Sequence, residues 1–297
     1  MVLGAVSLEK TLEFADRLIG ILNIPDDRIE DCPVLFINGW TGNCAGPHRM
    51  LKLWAKNFSL RGNPSLRFDF RGRGDSPGEE LDKNIYSMAE DTLAAAECLR
   101  KQVGRMPAVL ISICSGSLVA LHLVKRLRPE RMILLSPEAE LRPEREQVAR
   151  ELRRTTAYVK QYIRKLFCVA TWRKILRGEV HWRIIFFGVL RLDALGRYFK
   201  WGVARKQNAA PVGLPVHSRS SAFWLDELEG FEGRVLVTLG GQDPGRDEVR
   251  MEFGEATKRM GADVEIWIDP LSDRLFTSTR GMQRVFDVAQ QWLQREM

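Results

Sequence analysis

Short apolar runs alternate with amphipathic stretches along the chain outside a segment from about 140 to 225. The runs are rich in Val, Ile, Leu and Phe, which predicts buried strands at Leu18–Ile24, Val34–Asn38, Leu66–Phe70, Ala108–Ile113, Met132–Ser136, Val235–Leu239 and Val264–Ile268. Apolar positions three and four residues apart predict helices at Arg49–Leu60, Ile85–Val103, Ser115–Leu127, Asp247–Met260 and Thr279–Leu293. Strands that alternate with helices predict a mostly parallel sheet with helices on both faces.

The carboxyl ends of these strands are where such sheets bind their ligands. The strand that ends at Ile113 leads without a loop into the next helix. A sharp strand-to-helix turn of this kind, the nucleophile elbow, requires small residues two before and two after its apex. Of the three candidate apex residues Ser112, Cys114 and Ser115, only Cys114 has two small flanking residues, Ser112 and Gly116. The sequence therefore predicts Cys114 as a nucleophile.

A thiol at this turn lies at the N-terminus of a helix, where the helix dipole and the backbone N–H groups favour the thiolate. The Ser115 N–H would then point toward an oxyanion on an acyl group attached to Cys114. We expect a second donor, the Trp40 N–H, in the loop Asn38-Gly-Trp-Thr-Gly-Asn, which follows another predicted strand. The alternative interpretation of Cys114 is a buried structural cysteine in a tight turn.

Two more strand ends carry polar motifs. One reads Arg67-Phe-Asp-Phe-Arg-Gly-Arg-Gly-Asp-Ser, and the other reads Leu239-Gly-Gly-Gln-Asp-Pro, with Asp243 in a turn. With these motifs the chain resembles the α/β-hydrolase superfamily over nearly its whole length. The superfamily pattern has a His-Gly loop, an Asp-x-Arg-Gly-x-Gly-x-Ser segment, a small-x-nucleophile-x-small elbow, a Gly-x-x-Asp turn and a late His. Four of these five motifs are present here in the same order.

The resemblance implies an α/β-hydrolase fold, with a helical lid at 140–225 inserted between core parts 1–139 and 226–297. The chain is similar to serine aminopeptidases and esterases, with a cysteine at the elbow. It is most similar to a subgroup found near polysaccharide-assembly genes, which also has a Cys-Ser-Gly elbow and a Gly-Pro-His-Arg-Met run like Gly46–Met50.

The fifth motif departs from the superfamily pattern. The resemblance expects a catalytic His shortly after the final strand, where this chain has Arg274, and no His follows His217. Arginine stays protonated at physiological pH and cannot act as a general base. We expect Asp243 to orient Arg274 or a surrogate base. His48 is the first candidate for that base, although capping or substrate binding suits it equally, and His217 at the lid exit is another.

Two functions are consistent with this altered triad. In the first, Cys114 is acylated by an ester or thioester, because a thiol is partly ionised near neutral pH and Arg274 stabilises the thiolate. Hydrolysis of the acyl-enzyme is slow without a base, which favours an acyltransferase or a slow thioesterase or esterase. In the second, the site is inactive and the fold serves as a binding or scaffolding protein. Neither function implies a metal or an organic cofactor.

Charge sets one segment apart. Residues 141–210 contain 17 Lys and Arg against 5 Asp and Glu, whereas the rest of the chain has 28 against 33. Aromatic residues at roughly helical spacing within this segment predict a lid whose apolar face packs on the core. The alternative is a docking surface for an anionic partner such as an acyl-carrier protein, coenzyme A, an acidic glycan or a lipid headgroup at a membrane surface. Nucleic acid is not expected, because no binding module accompanies the charge.

The composition is that of a soluble globular protein. Of 297 residues, 45% are hydrophobic and 28% are charged, which excludes wholesale disorder and fibrous structure. The apolar runs are shorter than the roughly 20 residues that a membrane span needs, and no signal-peptide pattern begins the chain. The cysteines at 32, 44, 98, 114 and 168 are odd in number and lack paired or zinc-site spacing. We therefore expect a cytoplasmic protein with reduced thiols.

Overall fold

The computed structural model describes residues 7–25, 32–78, 85–138 and 225–295. Its strands are β1 Ser7–Phe14, β2 Leu18–Pro25, β3 Val34–Ile37, β4 Ser65–Phe68, β5 Val109–Ile113, β6 Arg131–Leu135, β7 Arg234–Gly240 and β8 Asp263–Asp269. Its helices are α1 Met50–Ser59, α2 Ile85–Val103, α3 Gly116–Leu127, α4 Arg246–Met260 and α5 Thr279–Gln294. The predicted lid at 140–225 lies outside the described residues except for Leu225, where a short 3-10 helix, Leu225–Leu228, begins.

The eight strands form one sheet in the order β1-β2-β4-β3-β5-β6-β7-β8. Strands from β3 to β8 pair in parallel, whereas β1 with β2 and β2 with β4 pair antiparallel. All seven predicted strands and all five predicted helices are present, with ends that differ by at most two residues. The sequence pattern does not predict β1, because this strand lies at the sheet edge with mostly exposed side chains and so has no apolar run.

Apolar side chains cover both faces of the sheet, as the alternation of strands and helices predicts. On one face α1 and α5 pack together, with Trp54 and Phe286 in edge-to-face contact at 5.2 Å between ring centroids. On the other face α2, α3 and α4 bury residues such as Leu99, Leu121 and Phe253. Within the described ranges no helix combines the length and the apolar character that crossing a membrane requires.

Two glycines bring the turns at the strand ends into direct contact. A Cβ added at Gly116 would overlap the carbonyl oxygen of Asn38, so α3 begins directly against the end of β3. A Cβ added at Gly240 would overlap the carbonyl oxygen of Asp273, so the turn after β7 packs against the turn after β8. These close approaches place the residues after β3, β5, β7 and β8 at one edge of the sheet, where ligands of parallel sheets bind.

Candidate active site

Cys114 occupies the turn between β5 and α3 in a left-handed backbone conformation, with φ at 56°. A residue other than glycine adopts this conformation only at a cost, and such strain concentrates at functional sites. The turn is held by hydrogen bonds from the Cys114 N–H to the Leu135 carbonyl at 2.9 Å and from the Ser117 N–H to the Cys114 carbonyl at 3.0 Å. The Cys114 side chain is partly exposed. The predicted sharp turn is present, with Cys114 at its apex.

Four side chains from four strand ends surround the sulfur, and we call them the thiol cluster: Cys114, Glu138, Asp243 and Arg274. The Cys114 thiol donates to Glu138 Oε1 at 3.4 Å. Arg274 Nη2 lies 3.1 Å from the same oxygen and 3.7 Å from Cys114 Sγ. Arg274 Nε lies 4.0 Å from Asp243 Oδ2. The structure thus brings three predicted site residues together and adds a carboxylate, Glu138, that the motifs did not indicate.

The backbone of the surrounding loops fixes the thiol cluster. Ser136, which follows β6 with a φ of 44°, donates its hydroxyl to the carbonyl oxygen of Arg274. Asp243 Oδ1 accepts the Gly245 N–H at 2.9 Å, which leaves Oδ2 toward Arg274. Asp273 Oδ1 accepts the backbone N–H of Leu275 at 3.1 Å. Arg274 is therefore held at its own carbonyl and by the residues on either side of it.

Electrostatics favour the protonated thiol. Burial raises the pKa of Cys114, and the Glu138 carboxylate raises it further, which outweighs the lowering by Arg274 and the Ser115 N–H. The predicted effects of Arg274 and of the helix N-terminus are present, because both lower the thiol pKa, but burial and Glu138, which the prediction did not include, outweigh them. Burial opposes the charge of Arg274, but the nearby Cys114, Asp243 and Glu138 raise its pKa overall. The cluster thus holds a neutral thiol beside a charged guanidinium.

The loop after β3 lies against the elbow, as the oxyanion-hole prediction requires. A Cβ added at Gly39 would lie 3.2 Å from the Cys114 Cβ. The Trp40 N–H donates to Ser115 Oγ at 2.7 Å, and the Trp40 carbonyl accepts from Arg73 Nε at 3.2 Å. The Ser115 N–H interacts with the Cys114 thiol. The Ser115 N–H therefore lies beside the sulfur, and the Trp40 N–H is occupied by the Ser115 hydroxyl.

The segment after β4 supports this loop from behind. Asp69 Oδ1 accepts the Cys44 N–H at 2.6 Å, which anchors the far end of the loop. Arg71 donates to Asp91 Oδ1 from Nε at 2.8 Å and from Nη2 at 2.6 Å. Together with the contact from Arg73 to Trp40, these bonds explain the Arg- and Gly-rich motif as a structural support.

His48, the candidate surrogate base, is exposed on the 3-10 turn Pro47–Arg49. Burial opposes ionisation of Asp273, but hydrogen bonds to Thr277 and Leu275 and the nearby His48 lower its pKa overall. Among the described residues no hydrogen bond or ion pair joins His48 to the thiol cluster, although Asp273 is the neighbour of Arg274. His217 lies outside the described residues. Across the described ranges no three His, Cys, Asp or Glu side chains are grouped to hold a metal ion.

Glu138 belongs to the site, but no motif in the sequence predicts it. The superfamily pattern contains no acidic residue after β6, so the resemblance gives no reason to select it. The signal was nevertheless present in the sequence, because Glu138 is the first titratable residue after the predicted strand Met132–Ser136. The rule that ligands bind at the carboxyl ends of parallel strands applies to this strand as well.

The parallel sheet, the left-handed turn at Cys114 and the acidic turn after β7 define an α/β-hydrolase fold, which confirms the predicted fold class. In sequence, residues 36–174 match the serine aminopeptidase S33 family, a little under half of the chain. The protein is thus an α/β-hydrolase-fold protein whose first half is similar to serine aminopeptidases. A search of curated protein sequences finds no match.

Solved structures show the same fold over nearly the whole chain. An esterase from Pyrococcus furiosus aligns with 98% of this chain and 92% of its own, at a TM-score of 0.58 and 15% identity. Dienelactone hydrolase from Anabaena variabilis aligns over 97% of both chains, at a TM-score of 0.58 and 13% identity. An alpha-beta serine hydrolase homologue from Coxiella burnetii aligns with 96% of this chain and 97% of its own, at a TM-score of 0.57 and 11% identity. The nucleophilic role of Cys114 stays a prediction.

Proposed function

We propose that this protein is a hydrolase-fold enzyme that accepts an acyl group on Cys114 from an ester or thioester. The observation that carries the proposal is the strained backbone of Cys114, whose φ of 56° presents the thiol at the strand ends. The glycine that follows at Gly116 packs so closely on Asn38 that no larger residue fits. A fold retains such strain where the surrounding structure over-determines it, and a nucleophile elbow is the established use of this turn.

Acylation places negative charge on the carbonyl oxygen of the substrate, and two backbone groups are proposed to receive it. The Ser115 N–H already faces the sulfur. The Trp40 N–H, which now donates to Ser115 Oγ at 2.7 Å, would exchange that hydroxyl for the oxyanion. Arg274 Nη2, 3.7 Å from the sulfur, adds positive charge that Asp243 helps to orient from 4.0 Å. Donors held in place in this way stabilise charge that develops in the transition state.

The second step is the release of the acyl group from Cys114, either to water or to an acceptor. Because Arg274 replaces the usual imidazole, we propose that transfer competes well with hydrolysis, so the protein acts as an acyltransferase or a slow thioesterase or esterase. The basic segment 141–210, which lies outside the described residues, suits an acyl donor carried on coenzyme A or an acyl-carrier protein. A free thiol nucleophile is kept reduced in a reducing compartment, which is consistent with a cytoplasmic location.

A catalytically inactive binding or scaffolding protein is the second candidate. The observation that favours it is the protonated thiol, because burial and Glu138 raise the pKa of Cys114. In addition, Arg274 pairs with Glu138 at 3.1 Å and lies 4.0 Å from Asp243. A guanidinium that pairs with two carboxylates beside a protonated thiol is also what a catalytically inactive site would contain.

Intact-protein mass spectrometry separates the two candidates. The protein is mixed with p-nitrophenyl butyrate or with butyryl-coenzyme A, and the mass is followed with time. We expect one butyryl adduct on the wild type and none on Cys114→Ala. Cys32→Ala serves as the matched control, because Cys32 is also partly exposed, and it should keep the adduct. A wild type that gains no adduct and releases no nitrophenol or coenzyme A would establish the inactive candidate.

The fate of the adduct then distinguishes hydrolysis from transfer. We expect the butyryl-Cys114 thioester to decay slowly in buffer and faster when a small thiol or amine acceptor is added, with the acylated acceptor as the product. An adduct that decays at one rate with and without acceptor, and yields only butyrate, would instead identify a thioesterase or esterase.

A further inference from the structure

The carboxylate of Glu138 lies between the thiol and the guanidinium of the thiol cluster. Its Oε1 accepts from Cys114 Sγ at 3.4 Å and from Arg274 Nη2 at 3.1 Å. Its side chain is 39% exposed, so it lies at the open side of the cluster, whereas the Asp243 side chain is 3% exposed. Within the described ranges, Glu138 is the carboxylate in hydrogen-bond contact with the sulfur.

We infer that Glu138 is the general base of the reaction, the residue that takes the Cys114 proton in place of the missing imidazole. This inference rests on the proposed function, because it assigns a role within the acylation of Cys114. It also supplies a group able to accept and return a proton in both steps. A carboxylate is a weaker base than imidazole, so activation of water, and with it hydrolysis of the acyl-enzyme, stays slow. Neither the family match nor the superfamily pattern assigns a role to this residue.

The proton follows a closed path. As Cys114 Sγ attacks the acyl carbon, the S–H proton moves to Glu138 Oε1 and the carbonyl electron pair moves onto oxygen. The tetrahedral intermediate collapses, the bond to the leaving group breaks, and Glu138 returns the proton to the leaving oxygen or sulfur. In the second step Glu138 takes a proton from water or the acceptor as that group attacks the thioester. The Sγ–carbon bond then breaks with its electron pair on sulfur, and the proton goes back to Sγ.

Other groups at the site are less suited to this role. Asp243 directs one oxygen to the Gly245 N–H and the other to Arg274, and no hydrogen bond joins it to the sulfur. Arg274 stays protonated, so it positions the Glu138 carboxylate rather than moving the proton. His48 has no hydrogen bond to the cluster among the described residues. Geometry therefore singles out Glu138.

The same carboxylate has two opposite effects on the thiol. Its charge disfavours a free thiolate, whereas its hydrogen bond provides an acceptor for the proton once a substrate is attacked. Among the described residues, the charged groups that face Cys114 from the packed elements are Glu138 after β6 and Arg274 after β8, with Asp243 after β7 acting on Arg274. Removing the Glu138 charge should therefore make the resting thiol more reactive and the enzyme less active, a pair of changes that loss of structure would not produce.

Glu138→Gln tests this inference by two rates measured on the full-length protein. Alkylation by iodoacetamide follows the thiolate fraction, so we expect it to become a few-fold faster near neutral pH. Acylation by butyryl-coenzyme A, followed by mass spectrometry, should become about 100-fold slower or more, the usual contribution of a general base. The remaining acylation of the variant should rise by about tenfold per pH unit below the thiol pKa, because it then depends on spontaneous ionisation, and the wild-type rate should rise less steeply.

Two further variants complete the design. Glu138→Asp keeps the carboxylate on a shorter side chain, so its acylation rate should fall between those of the wild type and Glu138→Gln. Glu138→Ala replaces Glu138→Gln if that variant does not fold. Glu232→Gln removes an exposed carboxylate far along the chain and should leave both rates unchanged. The inference is overturned if Glu138→Gln acylates as fast as the wild type, or if both rates fall together. A wild type that forms no adduct at all would instead overturn the proposed function, and this inference with it.

Discussion

Two arginines of this protein, Arg71 after β4 and Arg274 after β8, pair with carboxylates, and they do so differently. Arg71 directs Nε and Nη2 to one oxygen of Asp91 at 2.8 and 2.6 Å, while its own backbone N–H binds the other oxygen at 2.9 Å. Asp91 is 2% exposed in this pair. Arg274 instead shares its guanidinium among Glu138 at 3.1 Å, the Cys114 sulfur at 3.7 Å and Asp243 at 4.0 Å.

The difference shows how one pair of residue types supports structure in one place and chemistry in another. At Arg71 the carboxylate is fully engaged by a single partner, so nothing remains to respond to a substrate. At Arg274 the charge is divided among three partners, one of which is a thiol that changes its charge when it reacts. Short multidentate pairing around a buried carboxylate therefore indicates a structural support, and longer shared pairing around a thiol indicates a candidate site.

The largest expected effect is on stability, at the pair of Arg71 and Asp91. Asp91→Ala removes the buried acceptor of the Arg71 guanidinium and backbone N–H and leaves only the exposed Glu90, so we expect a loss of about 3 kcal/mol in the free energy of unfolding. Asp243→Ala removes a carboxylate whose Arg274 partner is 4.0 Å away, and it should cost only about 1 kcal/mol. Urea denaturation followed by circular dichroism measures both. Equal losses of unfolding free energy in the two variants would show that Asp91 and Asp243 contribute alike to stability.

A smaller effect is expected on the ionisation of Cys114. Arg274 lowers the pKa of this thiol, so replacing it by Gln removes a cation that favours the thiolate and raises the pKa further. At a fixed pH below the pKa the thiolate fraction falls, and iodoacetamide should alkylate Arg274→Gln up to about tenfold more slowly, with the midpoint of the pH dependence moved upward. The matched variant Arg71→Gln should alkylate like the wild type. Faster alkylation of Arg274→Gln would contradict the interpretation that Arg274 stabilises the Cys114 thiolate.

The smallest effect is expected at Glu90, the exposed carboxylate beside Arg71. Glu90 lies 3.2 Å from Arg71 Nη2 but is 69% exposed, so solvent screens the interaction. Glu90→Gln should change the free energy of unfolding by less than about 0.5 kcal/mol, again by urea denaturation. A loss as large as that of Asp91→Ala would mean that the Arg71 pair depends on net charge rather than on burial and geometry.

Much of this site was predictable because it depends on local geometry. The strand into Cys114, the small residues on either side of it and the turn at Asp243 are all contiguous in sequence, and each appears where the pattern predicts it. Arg274 was found by its place in an ordered series of motifs. Glu138 belongs to no motif, and its neighbour in space, Cys114, lies 24 residues away along the chain. The two meet only because β5 and β6 pair in parallel and end at the same edge.

The sequence by itself determined the alternation of strands and helices, the cysteine at a turn that admits only small neighbours, and an arginine where an imidazole is expected. These are properties of short segments, set by sterics and by side-chain chemistry. The tertiary structure alone decided that the Trp40 N–H donates to Ser115, that Glu138 contacts the thiol, and that the thiol favours its protonated form. Proton affinity depends on burial and on charges within a few ångströms, and the folding of distant segments is what brings those charges together.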